Sequence, residues 1–319
     1  MLYRTLVAVR RGLFRAGILR AHRLPVPVIV VGNINVGGVG KTPLTRALAE
    51  QLALRGRKPG IVSRGYGGSN VAPRAVVRGD DPGVVGDEPP LYAEAGLPVW
   101  IGHDRVEAAR GLIRSHPACD VIVADDGLQH YALRRDVEVA VIDAARGLGN
   151  GWLLPAGPLR EPARRLDRVD AIVLNAAATV VAPADPLRSG AAPTVPRFTM
   201  RLLPEAWRRV VDDAVVAQPS SLPREAVHAV AGIANPARFF DTLRGLGLNF
   251  VAHPFPDHHR YRAVDLAWPG ARAILMTEKD AVKCRLIGDD RMLWLPVRAE
   301  IDAALVTLIE DRMHGSQAA

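Results

Sequence analysis

A glycine-rich segment between an apolar run and a helical pattern constrains this chain more than any other feature. Residues 28–32 read Val-Ile-Val-Val-Gly, which suits one buried strand of a parallel sheet. Residues 37–42 read Gly-Gly-Val-Gly-Lys-Thr, and leucines recur at helical spacing after Pro43. A strand, a glycine loop, a Lys-Thr pair and a helix in this order predict a phosphate-binding P-loop.

The P-loop prediction gives each residue of the loop a task. Glycine permits positive φ and close approach, so the N–H groups of its glycines are expected to line a nest for phosphate oxygens. Lys41 is expected on the β and γ phosphates, and the Thr42 hydroxyl on Mg²⁺. Asn35 stands where the pattern has glycine, but asparagine tolerates left-handed backbone angles. The predicted nucleotide-binding residues are Asn35, Val36, Gly37, Gly38, Val39, Gly40, Lys41 and Thr42.

Composition narrows the class of partner. The 319 residues suit two domains, and the net charge of +8 favours an anionic partner such as a nucleotide, a phosphorylated substrate or a phospholipid surface. Aromatic residues are few and do not alternate with basic ones, so we expect no nucleic-acid partner. Cys119 and Cys284 form no metal pattern. No obligate protein partner is evident.

Residues 1–24 predict a basic amphipathic helix. They contain six arginines and no acidic residue. Leu6, Val9 and Leu13 share one helical face, while Arg11 lies roughly opposite. This pattern favours a helix that lies in a membrane interface. The alternative is a helix packed on the protein, with arginines that are merely solvated.

Alternating strands and helices predict an α/β fold with a doubly wound, mostly parallel, P-loop NTPase-like sheet. We expect this core domain over residues 25–195, including a loose linker over 176–195. A β-hairpin is predicted to form a two-stranded linker over 196–217. A second, smaller α/β domain is predicted over 218–319.

Two carboxylates end an apolar strand. Asp125 and Asp126 follow four apolar residues, where a metal-binding carboxylate of a P-loop protein is expected. Which of the two binds Mg²⁺ stays open, and the alternative is a turn before Gly127. His130 lies close by, either in the same crevice or at the cap of the next segment.

Asp87 and Glu88 permit two interpretations. A carboxylate near the phosphates could orient an acceptor hydroxyl and accept its proton. Alternatively, the pair could cap and stabilise a helix that begins at Pro89. His258 and His259 are adjacent and point in different directions, so we do not expect them to chelate one metal together.

Three further segments carry polar residues of interest. Arg64 begins a glycine-rich loop that is predicted beside the phosphates. Residues 154–161, which end in Glu161, form either a lid over the acceptor or a plain loop. Thr277 and Asp280 have capping-box spacing, and this structural role is our preferred interpretation of residues 277–280.

Taken together, the ordered motifs resemble the tetraacyldisaccharide 4′-kinase family, the lipid A 4′-kinases of Gram-negative bacteria. The segments that carry the resemblance are 35–43, 63–67, 86–89, 125–130, 154–161, 232–236, 256–259 and 277–280.

The resemblance implies an activity and a setting. ATP would phosphorylate the 4′-hydroxyl of a tetraacyl glucosamine disaccharide 1-phosphate during lipid A biosynthesis. The enzyme would be a peripheral protein at the cytoplasmic face of the inner membrane, with its site between two α/β domains. The resemblance assigns the base to Asp87, paired with His258, and the metal to Thr42, Asp125 and Asp126. It also places Glu88, His130 and Glu161 in or near the site.

The main alternative is a nucleotide switch or a partitioning ATPase on the same P-loop scaffold. Partitioning ATPases carry a signature lysine before the paired glycines, and Val36 stands there. A GTPase needs a guanine motif, but in residues 277–280 the lysine comes one place too late. A membrane-binding module without catalysis would need neither a base nor metal carboxylates.

Overall fold

The structure is a computed structural model that describes residues 2–176, 187, 194–217, 222 and 225–317. Its helices are α1 (Leu2–Arg15), α2 (Lys41–Leu54), α3 (Pro82–Val85), α4 (Pro89–Glu94), α5 (Arg105–Ser115), α6 (Pro236–Gly245), α7 (Glu278–Cys284) and α8 (Ala303–Gln317). Its strands are β1 (Val28–Gly32), β2 (Pro59–Ser63), β3 (Arg74–Val76), β4 (Val99–Ile101), β5 (Val121–Asp125), β6 (Val137–Asp143), β7 (Ala171–Ala176), β8 (Arg197–Pro204), β9 (Trp207–Arg209), β10 (Val215–Ala217), β11 (Val227–Ala231), β12 (Val251–Pro254), β13 (Ala273–Thr277), β14 (Met292–Leu295) and β15 (Val297–Ile301).

The first sheet has nine strands in the order β15-β8-β7-β6-β1-β5-β2-β4-β3. All neighbours are parallel except the two edge pairs, β15 with β8 and β3 with β4. Side chains of α2 and α8 pack on one face, and those of α5 pack on the other. The predicted doubly wound, mostly parallel sheet is therefore confirmed. We call this sheet with its helices the first unit.

The second sheet has six strands in the order β10-β9-β14-β13-β11-β12. Its last four strands run parallel, and β9 joins them antiparallel to β14. A separate core surrounds it, with Phe239, Phe240 and Leu243 of α6 on one face. This second unit is the smaller α/β body that the sequence predicts.

The connection between the units differs from the predicted hairpin. Strand β8 pairs in the first sheet with β7 and β15, whereas β9 pairs in the second sheet with β14 and β10. The two strands predicted to pair with each other thus lie in different sheets. The chain crosses twice, once from β8 to β9 and once from β14 to β15. The predicted linker over 176–195 lies almost wholly outside the described residues.

The end of the chain returns to the first unit. Residues 297–301 form a strand of the first sheet, and α8 begins shortly after it, at Ala303. Leu305, Ile309 and Met313 are buried in the core that α2 also shares. This burial explains why the last segment does not belong to the second unit, unlike the boundary of 218–319 that we predicted.

Helix α1 is shorter than the predicted 1–24 and is only partly exposed on its apolar side. Leu6 and Val9 keep 59% and 54% of their surface exposed. Arg11, expected on the solvated face, points inward and lies 3.9 Å from Glu161. The Phe14 ring packs on the protein, with its centroid 5.8 Å from that of Tyr131. No helix among the described residues has the length and apolarity needed to span a membrane.

Candidate active site

The P-loop follows β1 at the centre of the first sheet. Gly37 and Gly40 adopt φ of 96° and 92°, where other residues are strained. Gly40 also lacks room for a side chain, because a Cβ there would come within 2.3 Å of the Asn175 amide nitrogen. That nitrogen donates to the Val39 carbonyl at 2.8 Å. The loop is therefore held in a conformation that depends on glycine.

Asn35, the departure from the P-loop pattern, has a specific role. Its side-chain nitrogen donates to the Gly147 carbonyl at 2.8 Å, and its side chain is buried. The next amide, of Val36, donates to the Pro158 carbonyl at 2.8 Å. Asn35 does not adopt a positive φ, so tolerance of left-handed angles is not what preserves the turn. Instead, the Asn35 side-chain amide ties the P-loop to one neighbouring loop, and the Val36 backbone amide ties it to another.

The Lys-Thr pair points toward carboxylates at the ends of neighbouring segments. Lys41 Nζ lies 3.3 Å from Asn33 Oδ1 and 3.6 Å from Asp126 Oδ1. The Thr42 hydroxyl donates to Glu88 Oε1 at 3.2 Å. Glu88, which the sequence left between a site role and a cap, thus contacts the P-loop directly.

Asp125 is fully buried at the end of β5. Its carboxylate accepts the Tyr92 hydroxyl at 2.9 Å and the Thr45 hydroxyl at 3.5 Å. Burial, with the nearby negative charge of Glu88, raises the pKa of Asp125 to about 7. Asp125 is therefore the protonatable member of the carboxylate pair.

Asp126 has the opposite electrostatic environment. Burial alone would raise its pKa, but Lys41 and the guanidinium groups of Arg160 and Arg105 outweigh burial and lower the pKa well below its usual value. Arg160 binds it as a fork, with N–O distances of 2.9 and 3.1 Å. The backbone of Asp126 has φ of 47°, which is unusual for a residue with a side chain. Asp126 is thus a permanent carboxylate beside the P-loop lysine.

The donor set of this crevice suits a hard divalent cation. The hydroxyl of Thr42 and the carboxylates of Glu88, Asp125 and Asp126 offer only oxygen atoms, which Mg²⁺ prefers. Among the described residues, no three or more His, Cys, Asp or Glu side chains are arranged to hold a metal by themselves. Mg²⁺ typically binds to one or two carboxylates together with substrate phosphates, and the oxygen donors here allow that arrangement.

Asp87 meets His258 across the boundary between the two units. Both Asp87 carboxylate oxygens lie 3.0 Å from His258 Nδ1. Burial would raise the pKa of Asp87, but the hydrogen bond from His258 and the charge of Lys279 lower it overall. The same hydrogen bond raises the pKa of His258. Neither Asp87 nor Glu88 caps α4 with its side chain. Asp87 is therefore an ionised carboxylate in the crevice.

Comparison with known proteins decides the family. A family model described as tetraacyldisaccharide-1-P 4′-kinase matches residues 1–314. The chain belongs to this family. It is 51% identical over 317 residues to a tetraacyldisaccharide 4′-kinase of Azoarcus sp. (strain BH72), a match that covers 99% of this chain and 90% of that protein. A second such kinase, from Alkalilimnicola ehrlichii, is 50% identical and matches 95% of this chain and 87% of its own length.

A solved structure agrees with the membership. The crystal structure of LpxK from Aquifex aeolicus in complex with ATP is similar, with a TM-score of 0.80 and 29% identity. The match covers 98% of this chain and 96% of that one. The resemblance stated from the sequence motifs is confirmed.

In this family member, the two adjacent histidines have separate surroundings. His258 has a positive φ of 61°, and its ring lies beside Tyr66, with centroids 5.0 Å apart. His259 turns the other way, with Nε2 3.4 Å from Asp265 and its ring stacked on Phe255. The structure thus brings His258, and not His259, to Asp87.

Glu161 lies behind the crevice and not on its surface. It is 1% exposed and accepts the Gln129 amide at 2.9 Å as well as the Tyr131 hydroxyl. Gln129 in turn donates to the Asn33 carbonyl at 3.0 Å. Glu161 therefore supports the segment that leads into the P-loop.

The other two expected residues, His130 and Arg64, differ in burial and in their electrostatic surroundings. Burial and the positive charges of Arg105 and Arg135 lower the pKa of His130 to about 4, so its ring is neutral. Its Nε2 is buried without a hydrogen-bond partner. Arg64 is exposed just after β2, and its charge adds to burial in lowering the pKa of Arg105.

Sequence reasoning missed two cations of the crevice. Arg160 belongs to the loop over 154–161, in which only Glu161 was singled out. Lys279 belongs to residues 277–280, for which a cap is our preferred interpretation from the sequence. Thr277 does cap α7, but Lys279 reaches across and donates to Glu88. The available signal was Lys279 itself, because the capping role explains Thr277 and Asp280 but gives this charged residue no function.

Proposed function

We propose that Asp87 is the base of this family member's reaction and that the first unit's P-loop holds the donor ATP. As a tetraacyldisaccharide 4′-kinase, the chain is a lipid kinase that acts in lipid A biosynthesis. The contact between Asp87 and His258, beside the P-loop, is the observation that carries the assignment of the base. This contact supports a carboxylate that a neighbouring imidazole orients beside the P-loop.

The chemistry needs few protein groups. The 4′-hydroxyl oxygen of the acceptor attacks the γ phosphorus of ATP, the bond to ADP breaks, and Asp87 accepts the hydroxyl proton. Its pKa lies below its usual value, so it is unprotonated at neutral pH; burial opposes this shift, and the hydrogen bond with His258 favours it. Lys41 and the P-loop amides bind the donor's phosphates. Mg²⁺, held by Thr42 with Asp125 or Asp126, would neutralise phosphate charge when bound.

The arrangement of the units supports this proposal. The P-loop and Asp87 come from the first unit, while His258 and Lys279 come from the second. A site at this boundary excludes water when the units are close together, which limits transfer of phosphate to water.

We propose further that α1 brings the site to its acceptor, the tetraacyl disaccharide 1-phosphate, at the cytoplasmic face of the inner membrane. Leu6 and Val9 are exposed on α1, and Ile18 just after it keeps 69% of its surface exposed. Exposed apolar residues among arginines favour peripheral binding to an anionic bilayer. Deletion of residues 2–15 should therefore reduce sedimentation with anionic liposomes at low salt, and unchanged sedimentation would contradict this role.

The decisive assay for the proposed reaction follows labelled γ phosphate. Wild-type protein should transfer it to tetraacyl disaccharide 1-phosphate, and hardly at all to water or to free glucosamine. Lys41→Ala should abolish the transfer, because the P-loop loses its phosphate-binding cation. Label that appears only as inorganic phosphate, or transfer that survives in Lys41→Ala, would contradict the proposal.

A further inference from the structure

The first turn of α7 has two residues that its own unit does not use. Thr277 caps the helix by accepting the Asp280 amide at 3.2 Å. Asp280 is fully buried and accepts the Gly232 amide, with distances of 3.2 Å to both oxygens. Glu278 and Lys279, between them, instead point toward the first unit. Capping therefore explains the ends of this motif but not its middle.

Both middle residues contact the region of the P-loop. Glu278 Oε1 lies 3.0 Å from Nη1 of Arg46, which is on the P-loop helix one turn after Thr42. Lys279 Nζ donates to Glu88 Oε1. The same Glu88 oxygen accepts the Thr42 hydroxyl at 3.2 Å. One carboxylate oxygen thus links an ammonium group of the second unit to the P-loop threonine.

The charge of Lys279 is maintained by its surroundings. Burial would lower its pKa, but the carboxylates of Glu88 and Asp87 outweigh burial and raise the pKa above its usual value. Lys279 therefore stays protonated, and its side chain is only 28% exposed. A largely buried ammonium group needs an anionic partner at all times. Glu88 fills that need when no phosphate is present.

A bound triphosphate changes the choice of partner. Lys41 identifies where the β and γ phosphates would lie, and it also contributes to lowering the pKa of Glu88. The ammonium group of Lys279 contacts the same Glu88 carboxylate from the second unit. A terminal phosphate, with its higher charge, competes with Glu88 for the ammonium. A diphosphate lacks this group.

We propose that Lys279 is a γ-phosphate ligand that the second unit supplies to the donor, and that Glu88 holds its ammonium group in place beforehand. This inference rests on the proposed position of the donor in the P-loop. If this is so, a bound triphosphate contacts both units, because its γ phosphate reaches Lys279. A bound diphosphate lacks that contact and connects the units more weakly. Lys279 would then favour a closed site for the donor and an open one for the product.

The test compares two nucleotides in the full chain without any acceptor. Calorimetry gives Kd for the β,γ-imido analogue of ATP and for ADP, each with Mg²⁺. Lys279→Ala should weaken the ATP analogue about tenfold, as expected for one charge-assisted hydrogen bond, and ADP less than twofold. Lys279→Arg should restore most of the difference. Glu278→Gln, the matched control, removes a neighbouring contact between the units and should change both nucleotides by the same factor.

The outcomes separate the possible errors. If Lys279→Ala and Lys279→Gln weaken both nucleotides equally, or neither, Lys279 is not a γ-phosphate ligand. If Lys279→Ala or Lys279→Gln no longer unfolds in a cooperative thermal transition, Lys279→Arg provides the test instead. A Lys279→Arg protein that binds the ATP analogue no more tightly than ADP contradicts the proposal. If Lys41→Ala binds both nucleotides as tightly as wild type does, the donor site itself is wrong, and the error lies in the proposed function.

Discussion

The two units contribute to the crevice in different ways. The first unit offers a loop whose backbone shape is set by consecutive residues, with Gly37 and Gly40 at positive φ. The second unit offers side chains, His258 and Lys279, from two separate segments that reach over to Asp87 and Glu88. A local loop leaves a readable motif, whereas side chains that act at a distance leave only isolated polar residues. The difference also suggests how to separate donor binding from transfer.

The largest expected effect comes from Asp87. Asp87→Asn should lower the transfer rate about a thousandfold, since a general base contributes factors of this order. The Kd for ATP should change little, because the P-loop and its cations remain. Steady-state assays of transfer check the rate, and calorimetry on the same preparation checks the Kd for ATP. Equal losses of binding and transfer would move Asp87 into the donor site and weaken the distinction between the units.

A smaller effect is expected from His258. His258→Gln keeps a hydrogen-bond donor but removes the ionisable partner of Asp87, so burial is less opposed and the pKa of Asp87 should rise. The acidic limb of the rate profile should therefore shift to higher pH, with a loss in rate of about ten- to a hundredfold near neutrality. A rate profile that extends below the ordinary carboxylate pKa of 3.8 measures the shift, because the lowered pKa of Asp87 puts the wild-type limb there. An unshifted limb would show that His258 does not control the ionisation of the base.

The smallest effect concerns the stability of the first unit alone. Asp125 has a folded-state pKa of about 7, above its ordinary 3.8, so the folded protein binds a proton that the unfolded chain releases between these values. Wild-type stability must then fall as the pH rises through this range. The Tm difference, Asp125→Asn minus wild type, should consequently be about 2–4 °C larger at pH 8 than at pH 5. Melting curves without nucleotide test this. The same Tm difference between the variant and wild type at pH 5 and at pH 8 would refute a raised pKa.

Much of the first unit follows from local sequence signals. The predicted strand at residues 28–32 matches β1, and the predicted apolar strand that ends at the Asp125–Asp126 pair matches β5. These elements are set by apolar runs that act over a few positions. The P-loop is predictable for the same reason, although Asn35 holds it by a contact that the pattern does not reveal.

The connections depended on interactions between distant residues. Nothing near residues 197–204 indicates that their antiparallel partner is β15, almost a hundred positions away. The helical pattern puts Arg11 on the solvated face because it does not reveal the partner, Glu161, which is remote in sequence. Residues 277–280 have a sufficient local explanation, which concealed the reach of Lys279 to Glu88. Local rules therefore fail here where a charged side chain finds its partner in another segment.

The most direct test of a site divided between two units is a double-mutant cycle on transfer rates. Asp87→Asn, His258→Gln and the double variant are compared with wild type under saturating ATP and lipid acceptor. If His258 acts through Asp87, the double variant should be no slower than Asp87→Asn alone. Independent, multiplicative losses would contradict the account, because the two residues would then not work as a pair across the crevice.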